Sequence, residues 1–346
     1  MSGLMEVVHP GIGTTLQDAG RPGLRHEGMP VSGWLDARLA RAANALLGNA
    51  EGQAVLELRG VGTELRVKSG PVRVALTGEV QALWTRADDS TQPLLPWRSA
   101  SLQVGDRIRL GPAQTGCAYL AVSGGCQVQP QLASRSSYWR AGLQGVLGRA
   151  LQPGDELPCE CSASAQPQEA ALEPLALREA GPLRVILGPQ HDHFDSAVLE
   201  QFLQQTWTAS REQDRMGMRL QGEPLRHRSS ACADIVSDGV TPGAIQVPAN
   251  GLPIVLMADS QTVGGYPKIA TVIRADLPRL AHLKAASPLR FESVSVEQAA
   301  QALHSQAMQL KDWLASASFF TPPGYIDEQA LYTCNLISGM VNMRRP

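Results

Sequence analysis

The sequence predicts a mainly β protein with few helices, and its repeats indicate two related β domains. Glycine and proline number 33 and 24 of 346 residues, about 16% against the usual roughly 12%, which favours many turns between short strands. From Ala54 to Val122, short apolar runs alternate with glycine-rich turns at the spacing of a barrel or sandwich. A turn motif, Leu102–Ile108, recurs at Leu151–Leu157 and, in degraded form, at Leu283–Leu289.

Composition and charge are those of an ordinary globular protein. Apolar residues make up 43% of the chain, charged residues 18%, and the net charge is −2. This balance gives no indication of nucleic acid or an anionic membrane as a partner. No apolar run approaches the roughly 20 residues that span a bilayer. Because residues 1–13 also lack the pattern of a signal peptide, we expect a cytoplasmic protein.

The cysteines and a histidine pair do not predict a metal site. None of the six cysteines forms a Cys-x-x-Cys pair, and a structural zinc site needs four ligands in a recurring spacing. His191 and His193 flank Asp192, but no histidine-rich segment accompanies them. We therefore expect incidental histidines and reduced, mostly buried thiols. The cysteines are Cys117, Cys126, Cys159, Cys161, Cys232 and Cys334.

The N-terminal segment Val7–Gly28 places polar side chains on a glycine-rich loop. Two interpretations stay open for it: the side chains contact a ligand, or Asp18 and Thr15 bond backbone groups in an Asx-type turn. The polar residues are Thr14, Thr15, Gln17, Asp18 and Arg21.

The clearest predicted helix follows this loop. Ser32 or Gly33 can cap it, Asp36 falls in its first turn, and Gly48 ends it. Leu35, Leu39, Ala42, Ala43 and Leu46 form an apolar stripe at helical spacing, and Arg41 and Asn44 are predicted on the far face.

Five strands are predicted in the first half, and the chain then divides. We place a first domain at residues 1–160, a linker at 161–181, a second domain at 182–295, and a C-terminal helix and tail at 296–346. The second domain is expected to begin with the strand Leu183–Leu187. The first-half strands are Ala54–Leu58, Thr63–Lys68, Val72–Thr77, Asp106–Leu110 and Cys117–Val122.

Two arginines are candidates for binding an anion. Arg135 lies in a Ser-Arg-Ser segment, and its planar guanidinium suits carboxylates and phosphates, although a surface ion pair is an equal alternative. Arg215 precedes a strand on which Met218 and Leu220 share one face. An arginine–carboxylate pair that orders the loop is the alternative to ligand binding there.

A hairpin that ends in a polar loop is predicted from Ala244 to Lys268. Its apolar runs Ala244–Val247 and Pro253–Ala258 are separated by Asn250-Gly251, a strong turn signal. The second run leads into Asp259-Ser260-Gln261-Thr262 and then Gly264–Lys268, so that polar side chains follow a buried strand. Loops on rigid strands often carry binding groups, although a solvated turn is the plainer interpretation.

An amphipathic helix is predicted near the C-terminus. Leu303, Ala307, Leu310 and Leu314 form its docking stripe, opposite glutamine and lysine. The residues beyond Ala315 fit no pattern that we can interpret.

Five stretches in one register, from Val7 to Phe291, resemble a known family. On them the chain is identified as a member of the biotin-dependent carboxyltransferase family, which includes the C subunit of prokaryotic 5-oxoprolinase, also called allophanate hydrolase subunit 2. Two departures stand out, since Gln213 replaces a usual serine and His191 a usual aspartate. The matching stretches are Thr14–Gly23 with Gly28–Asp36, Ala43–Glu57, Gly124–Ser136, Gln213–Leu220 and Ser237–Lys268.

The resemblance implies a fold, partners and a reaction. The family fold is two cyclophilin-like β-barrel subdomains. The expected partners are a hydrolase-like A subunit and a B subunit related to a kinase inhibitor. The expected reaction is ATP-dependent hydrolysis of 5-oxoproline to glutamate, with the ATP site not located in this chain. The chain has no phosphate-binding loop, biotin-attachment segment or amidase signature, so we expect activity only in a complex.

Two other roles are compatible with the resemblance. One is carboxyl transfer to urea from carboxybiotin supplied by a partner. The other is non-enzymatic antagonism of a kinase inhibitor.

The matching positions give candidate roles. Lys268 and Arg215 are expected to bind anionic groups, Gln246 and Gln261 to recognise an amide, and Asp18 or Asp259 to act as a base, beside preorganised donors for the amide oxygen. The catalytic candidates are thus Asp18, Asp259 and Lys268, and the substrate-binding candidates are Thr15, Gln17, Arg21, Arg135, Arg215, Gln246, Gln261, Thr262 and Tyr266.

Overall fold

The computed structural model describes residues 2–161, 169–177 and 179–321. In that part of the chain 23 mostly short strands outnumber four α-helices, so the prediction of a mainly β fold is confirmed. The strands of the first half are β1 (Ser2–His9), β2 (Thr15–Gln17), β3 (Val55–Leu58), β4 (Glu64–Ser69), β5 (Val72–Thr77), β6 (Val80–Thr85), β7 (Thr91–Pro93), β8 (Arg98–Leu102), β9 (Arg107–Ala113), β10 (Ala118–Val122), β11 (Glu156–Glu160) and β12 (Glu169–Ala171).

The second half is built in the same way. Its strands are β13 (Leu183–Leu187), β14 (Trp207–Gln213), β15 (Gly217–Gln221), β16 (Asp238–Gly239), β17 (Ala244–Gln246), β18 (Ile254–Leu256), β19 (Val263–Gly264), β20 (Lys268–Val272), β21 (Pro288–Leu289) and β22 (Phe291–Ser293), and β23 (Ser318–Phe320) follows. The helices are α1 (Ala37–Ala45), α2 (Ser196–Gln204), α3 (Leu277–Ala281) and α4 (Val296–Ala315).

The strands form three large sheets and one ribbon. The first half has a six-stranded sheet, β11-β1-β4-β9-β6-β7, and a seven-stranded sheet, β2-β3-β10-β5-β8-β12-β23. The second half has an eight-stranded sheet, β21-β14-β15-β18-β17-β20-β13-β22, and the ribbon β16-β19. Neighbouring strands are antiparallel, apart from the parallel pair β13 and β22. Antiparallel strands can be joined by short turns, which agrees with the many turns that the glycine and proline content predicted.

One hydrophobic cluster spans both halves, and a second lies within the first half. Leu39, Val55 and Tyr119 of the first half belong to the same buried cluster as Trp207 and Phe291 of the second. We call the region in which residues of the two halves pack against each other the seam. The backbones also approach closely there, because a Cβ on Gly116 would lie only 1.6 Å from the carbonyl oxygen of Ala281.

The predicted long strands and the hairpin are found. The five strands of the first half and Leu183–Leu187 are present, with ends shifted by at most three residues. In the hairpin β17 pairs antiparallel with β18, with Ile245 opposite Val255, and Gly251 takes the positive φ of +75° that the turn requires. In β15, Met218 and Leu220 are buried while Arg219 is exposed, as alternation predicted.

The start of the first helix was predicted wrongly. Asp36 is not inside the first turn but caps α1, and its side chain accepts a hydrogen bond from the backbone N–H of Arg38. Ser32 lies outside the helix with a φ of 55°. Asn44, predicted on the exposed face, is fully buried and donates to the carbonyl of Gln53 at 3.0 Å.

The docking face of the C-terminal helix was also predicted wrongly in part. Leu303 and Ala307 are exposed on α4, whereas Leu310 and Leu314 are half-buried. The helix is held instead by Gln306, which donates to the carbonyl of Ala275 at 2.7 Å, and by Trp313, which donates to the carbonyl of Glu173 at 3.0 Å.

The segment predicted as a linker contains a strand. Within residues 161–181, β12 pairs with β8 and with β23, which follows α4. Buried Glu169 fixes β12, because its carboxylate accepts hydrogen bonds from Arg73, Ser99 and Ser101. Three residues are too few to show a strand period in the sequence.

The recurring turn motif is architectural in all three places. In each copy a residue with positive φ precedes the residue whose side chain closes the turn. Gly105 (φ 92°) and Gly154 (φ 87°) fill this position in the first half and Ala286 (φ 66°) in the second. The closing bonds run from the N–H of Gln103 to Asp106, of Gln152 to Asp155 and of Lys284 to Ser287.

Candidate functional site

The predicted site residues come from segments distant in the chain that meet at the seam. The Ser134–Ser137 segment bonds to the N-terminal loop, and the residues after that loop contact the loops around Arg215 and Asp259 of the second half. The link is direct, since the backbone N–H of Ser32 donates to the carbonyl of Ala258 at 3.2 Å. We call the group of Gln17, Asp18, Arg21, Arg215 and Asp259 the seam site.

Asp18 ties the N-terminal loop to the Ser-Arg-Ser segment. Its Oδ1 accepts hydrogen bonds from the N–H of Gly20 at 2.8 Å and from the hydroxyls of Ser134 and Ser136 at 2.6 Å each. Its Oδ2 accepts from the N–H of Arg135 at 2.6 Å. The bond to Gly20 is the Asx-type turn that was one of the two interpretations. These four hydrogen bonds hold the carboxylate between the N-terminal loop and the Ser-Arg-Ser segment.

Arg21 and Gln17 are buried with hydrogen-bonding capacity to spare. The Nη2 of Arg21 donates to the carbonyl of Ser136, but its Nε and Nη1 have no partner among the described residues. Burial lowers the pKa of Arg21, and the charges of Asp18 and Asp259 partly offset this effect. The Nε2 of Gln17 donates to the hydroxyl of Thr15 at 3.0 Å, while its Oε1 is buried without a partner in the described part of the chain. Such groups are costly to bury unpaired.

Arg215 joins carboxylates from both halves. Its Nε and Nη2 donate to the two oxygens of Asp259 at 2.8 and 3.0 Å, and its Nη1 donates to Glu57 at 2.6 Å. Burial alone would lower the pKa of Arg215, but the charges of Glu57 and Asp259 outweigh burial and raise it. The arginine–carboxylate pair that was one alternative for this residue is therefore present.

A second group of candidates lies at the ribbon β16-β19, and we call it the ribbon cluster. It consists of Asp238, Gln246, Gln261 and Lys268. The Nζ of Lys268 donates to Asp238 at 2.6 Å and to the carbonyl of Gly239 at 3.1 Å. The Nε2 of Gln261 donates to the Oε1 of Gln246 at 3.3 Å. The N-terminal loop reaches this cluster, because Arg25 donates to the carbonyl of Val240.

The remaining candidates differ in exposure. Thr262 is buried, whereas Tyr266 is 41% exposed. Arg135 is half-buried, and its Nε donates to the carbonyl of Val128 at 2.8 Å.

A model of the carboxyltransferase domain, subdomains A and B, matches residues 27–293 of the chain. The chain belongs to this carboxyltransferase family. Residues of the seam site and of the ribbon cluster fall within the matched range, except those of the N-terminal loop before Glu27.

Two curated relatives within the carboxyltransferase family match nearly end to end. The C subunit of the Escherichia coli 5-oxoprolinase is 36% identical over 304 residues, covering 88% of this chain and 95% of the relative. The protein of the same name from Haemophilus influenzae is 35% identical and covers 83% and 90%.

Larger proteins carry the same domain. In the solved structure of the Kluyveromyces lactis urea amidolyase, the match has a TM-score of 0.78 and 26% sequence identity. It covers 90% of this carboxyltransferase chain, which spans only 20% of that protein.

The sequence did not single out several residues of the seam. Glu57 and Tyr119 are fully buried, and Ser260 is buried with its hydroxyl unpaired among the described residues. Burial and then the negative charge of Asp259 raise the pKa of Tyr138, which places that phenol near the site. Two signals pointed to Glu57: it is a charged residue within the apolar strand Val55–Leu58, and it ends a stretch that resembles the family.

A buried carboxylate also links the two halves across the seam. Asp36 accepts hydrogen bonds from Arg38 at 3.0 Å and from the Nε2 of His282 at 2.9 Å. Burial would raise the pKa of Asp36, but the hydrogen bond from His282 and the charge of Arg38 lower it well below its usual range. Asp36 therefore stays ionised and ties α1 to the second half.

The described residues hold no group of three or more acidic, histidine or cysteine side chains that could bind a metal ion. His191 and His193 contact the carbonyls of Gly188 and Cys232 instead. Burial raises the pKa of the Cys159 thiol to about 12, and Cys334 lies outside the described residues. No helix among the described residues is long and apolar enough to cross a membrane.

Two cavities among the described residues lie away from the predicted site residues. One of about 640 Å³ is lined by α4 and by Arg38, Arg184 and Ala275. Another of about 240 Å³ is lined by His282, Arg279 and Leu289.

Proposed function

We propose that this chain is the C subunit of an ATP-dependent 5-oxoprolinase, which hydrolyses 5-oxoproline to L-glutamate together with A-type and B-type subunits. The observation that carries the proposal is the match to two curated subunits of that name, at 36% and 35% identity over 95% and 90% of their lengths. We expect the complex to work in the cytoplasm, with ATP bound by a partner subunit.

The seam site and the ribbon cluster offer groups that suit this substrate. 5-Oxoproline carries a lactam and a carboxylate. We assign the carboxylate to Arg21, since a buried guanidinium with unpaired N–H groups favours an anion. Lys268 is the second candidate, because its Nζ already binds the carboxylate of Asp238. The atoms of Arg21 have almost no contact with solvent, so ligand entry requires the N-terminal loop to shift. We assign recognition of the lactam to the amides of Gln246 and Gln261.

We assign the role of base to Asp259 rather than Asp18. Each oxygen of Asp259 accepts one hydrogen bond from Arg215, whereas Asp18 accepts four bonds in all. Asp259 thus keeps lone pairs that can accept a proton from attacking water as the water oxygen adds to the lactam carbonyl. The ring C–N bond then breaks as Asp259 returns this proton to the departing nitrogen, which becomes the amine of glutamate.

A second candidate function is carboxyl transfer to urea with carboxybiotin supplied by a partner. It is favoured by the structural match to urea amidolyase at a TM-score of 0.78. The urea amidolyase of Lachancea kluyveri is 28% identical, but this chain spans only 17% of that protein.

The deciding experiment measures glutamate release from 5-oxoproline by the chain co-purified with its own A and B partners, with and without ATP. We expect ATP-dependent release that is lost when this chain is omitted. Lys268→Ala should lower that rate, whereas Lys311→Ala on the exposed face of α4 should not. A stable complex that releases no glutamate contradicts the proposal, and transfer of labelled bicarbonate to urea would then support the second candidate.

A further inference from the structure

Glu57 is a buried carboxylate at the centre of the seam. It lies on β3 and has no solvent exposure. Its Oε2 accepts hydrogen bonds from the backbone N–H of Leu35 at 2.9 Å and from the hydroxyl of Tyr119 at 2.7 Å. Its Oε1 accepts from the Nη1 of Arg215 at 2.6 Å. Three bonds from three different segments hold this carboxylate in one orientation.

The orientation of Glu57 is passed on to Asp259 through Arg215. The guanidinium is planar and rigid, so fixing Nη1 also fixes the Nε and Nη2 edge that binds Asp259. The carbonyl of Gly33 accepts the other hydrogen of Nη2 at 2.6 Å. Glu57 and Gly33, both in the first half, therefore set the direction in which a carboxylate of the second half points.

Tyr119 helps to fix the orientation of Glu57. Its hydroxyl donates to Glu57 and accepts from the backbone N–H of Asp36 at 2.9 Å. Burial, and then the neighbouring Cys117 and Glu57, raise the pKa of Tyr119 well above its usual value. The phenol thus remains protonated and keeps donating to Glu57.

We infer that Glu57 is a positioning residue for the reaction proposed above, acting through Arg215 to hold Asp259 in the orientation that catalysis needs. This inference rests on the proposed function. Glu57 does not touch the substrate in this scheme. Its effect is on turnover rather than on binding.

The chain offers a matched control for a purely structural role. Glu169 is also a buried glutamate, 3% exposed, and it accepts hydrogen bonds from Arg73 and from the hydroxyl of Ser101. It joins β12 to β8 and contributes nothing to the seam. Removing the charge of either glutamate should lower the stability of the protein, but only Glu57 is linked to Asp259 through Arg215.

The experiment compares Glu57→Gln with Glu169→Gln in the assembled complex, using glutamate release and thermal unfolding. We expect both variants to melt at lower temperature. Glu57→Gln should lower kcat at least about 10-fold with KM within about twofold, since a misplacement of roughly 1 Å can cost about 100-fold in rate. Glu169→Gln should leave kcat within about twofold of the wild type. Equal kcat in the two variants overturns the inference.

Two further measurements keep the test decisive. If Glu57→Gln does not fold, Tyr119→Phe removes one donor to Glu57, and we expect a smaller loss of kcat with KM unchanged. An unchanged kcat there also overturns the inference. If the wild-type complex releases no glutamate, the proposed function fails by itself. Positioning is then measured by hydrogen exchange at the Nε–H of Arg215 in the isolated chain, which Glu57→Gln should accelerate at least about 10-fold and Glu169→Gln should not.

Discussion

At the scale of single residues, the recurring turn shows how one backbone position governs the choice of amino acid. Gly105 and Gly154 occupy the positive-φ position in two copies, whereas Ala286 occupies it in the third with a φ of 66°. Only glycine takes this conformation without crowding its own carbonyl, and other residues lose roughly 1–2 kcal/mol there. The third copy is thus the strained one.

We expect Ala286→Gly to raise the free energy of unfolding by about 0.5–1 kcal/mol, because the relief of strain exceeds the entropy that a flexible residue loses on folding. Chemical denaturation measures this. Ala285→Gly is the control, since Ala285 is equally exposed without a positive φ, and it should lower stability instead. A loss of stability in Ala286→Gly would show that the turn is not strained.

At the scale of elements, the sequence predicted those with a long apolar period and missed the others. The strand Val72–Thr77 was found within an apolar run, and β15 by its alternation. By contrast β8 reads Arg-Ser-Ala-Ser-Leu and offers no apolar run, although it lies within the seven-stranded sheet. β8 lies in this sheet because it pairs with β5. A local sequence pattern does not reveal which separate segments pair with each other.

The helix α4 shows a second limit of periodicity. Its apolar residues repeat at helical spacing on more than one side, so the period does not reveal which side docks. Trp313 decides the matter, because its ring packs edge-on against Trp97 with centroids 5.9 Å apart.

We expect Trp313→Ala to cost about 2–3 kcal/mol of stability, less than the roughly 3–5 kcal/mol of a fully buried tryptophan. Leu303→Gln on the exposed stripe should change stability by less than about 0.5 kcal/mol. Urea unfolding followed by circular dichroism compares the two. A larger loss of stability for Leu303→Gln than for Trp313→Ala would contradict this docking face and favour the one predicted from the sequence.

At the scale of the whole molecule, the fold brings together some of the residues that the sequence offered as candidates. Asp18, Arg21, Arg215 and Asp259 were candidates by residue type and motif, and the fold places them together. Their partners could not be foreseen, since Glu57 and Arg215 lie 158 residues apart. Whether a charged side chain serves a ligand or the fold depends on which neighbour fills its hydrogen bonds.

The close approach of the two halves gives a test of the seam itself. A side chain at Gly116 would meet the carbonyl oxygen of Ala281 at 1.6 Å, so we expect Gly116→Ala to separate the backbones and cost at least about 3 kcal/mol. Thermal and chemical unfolding measure this cost. Gly52→Ala, with no atom within 4 Å of the new Cβ, should change stability by less than about 1 kcal/mol. Similar costs for both variants would mean that the halves are not tightly joined.

The pairing of β12 with β23 has a consequence for the order in which the chain folds during synthesis. Glu169 lies opposite Phe320, so a sheet of the first half is completed by a strand that leaves the ribosome after the entire second half. At about 5–20 residues per second, that interval lasts on the order of ten seconds. During it the newly made first half presents an open strand edge, a surface on which nascent chains associate. The edge of β12 is therefore covered only after β23 has been synthesised.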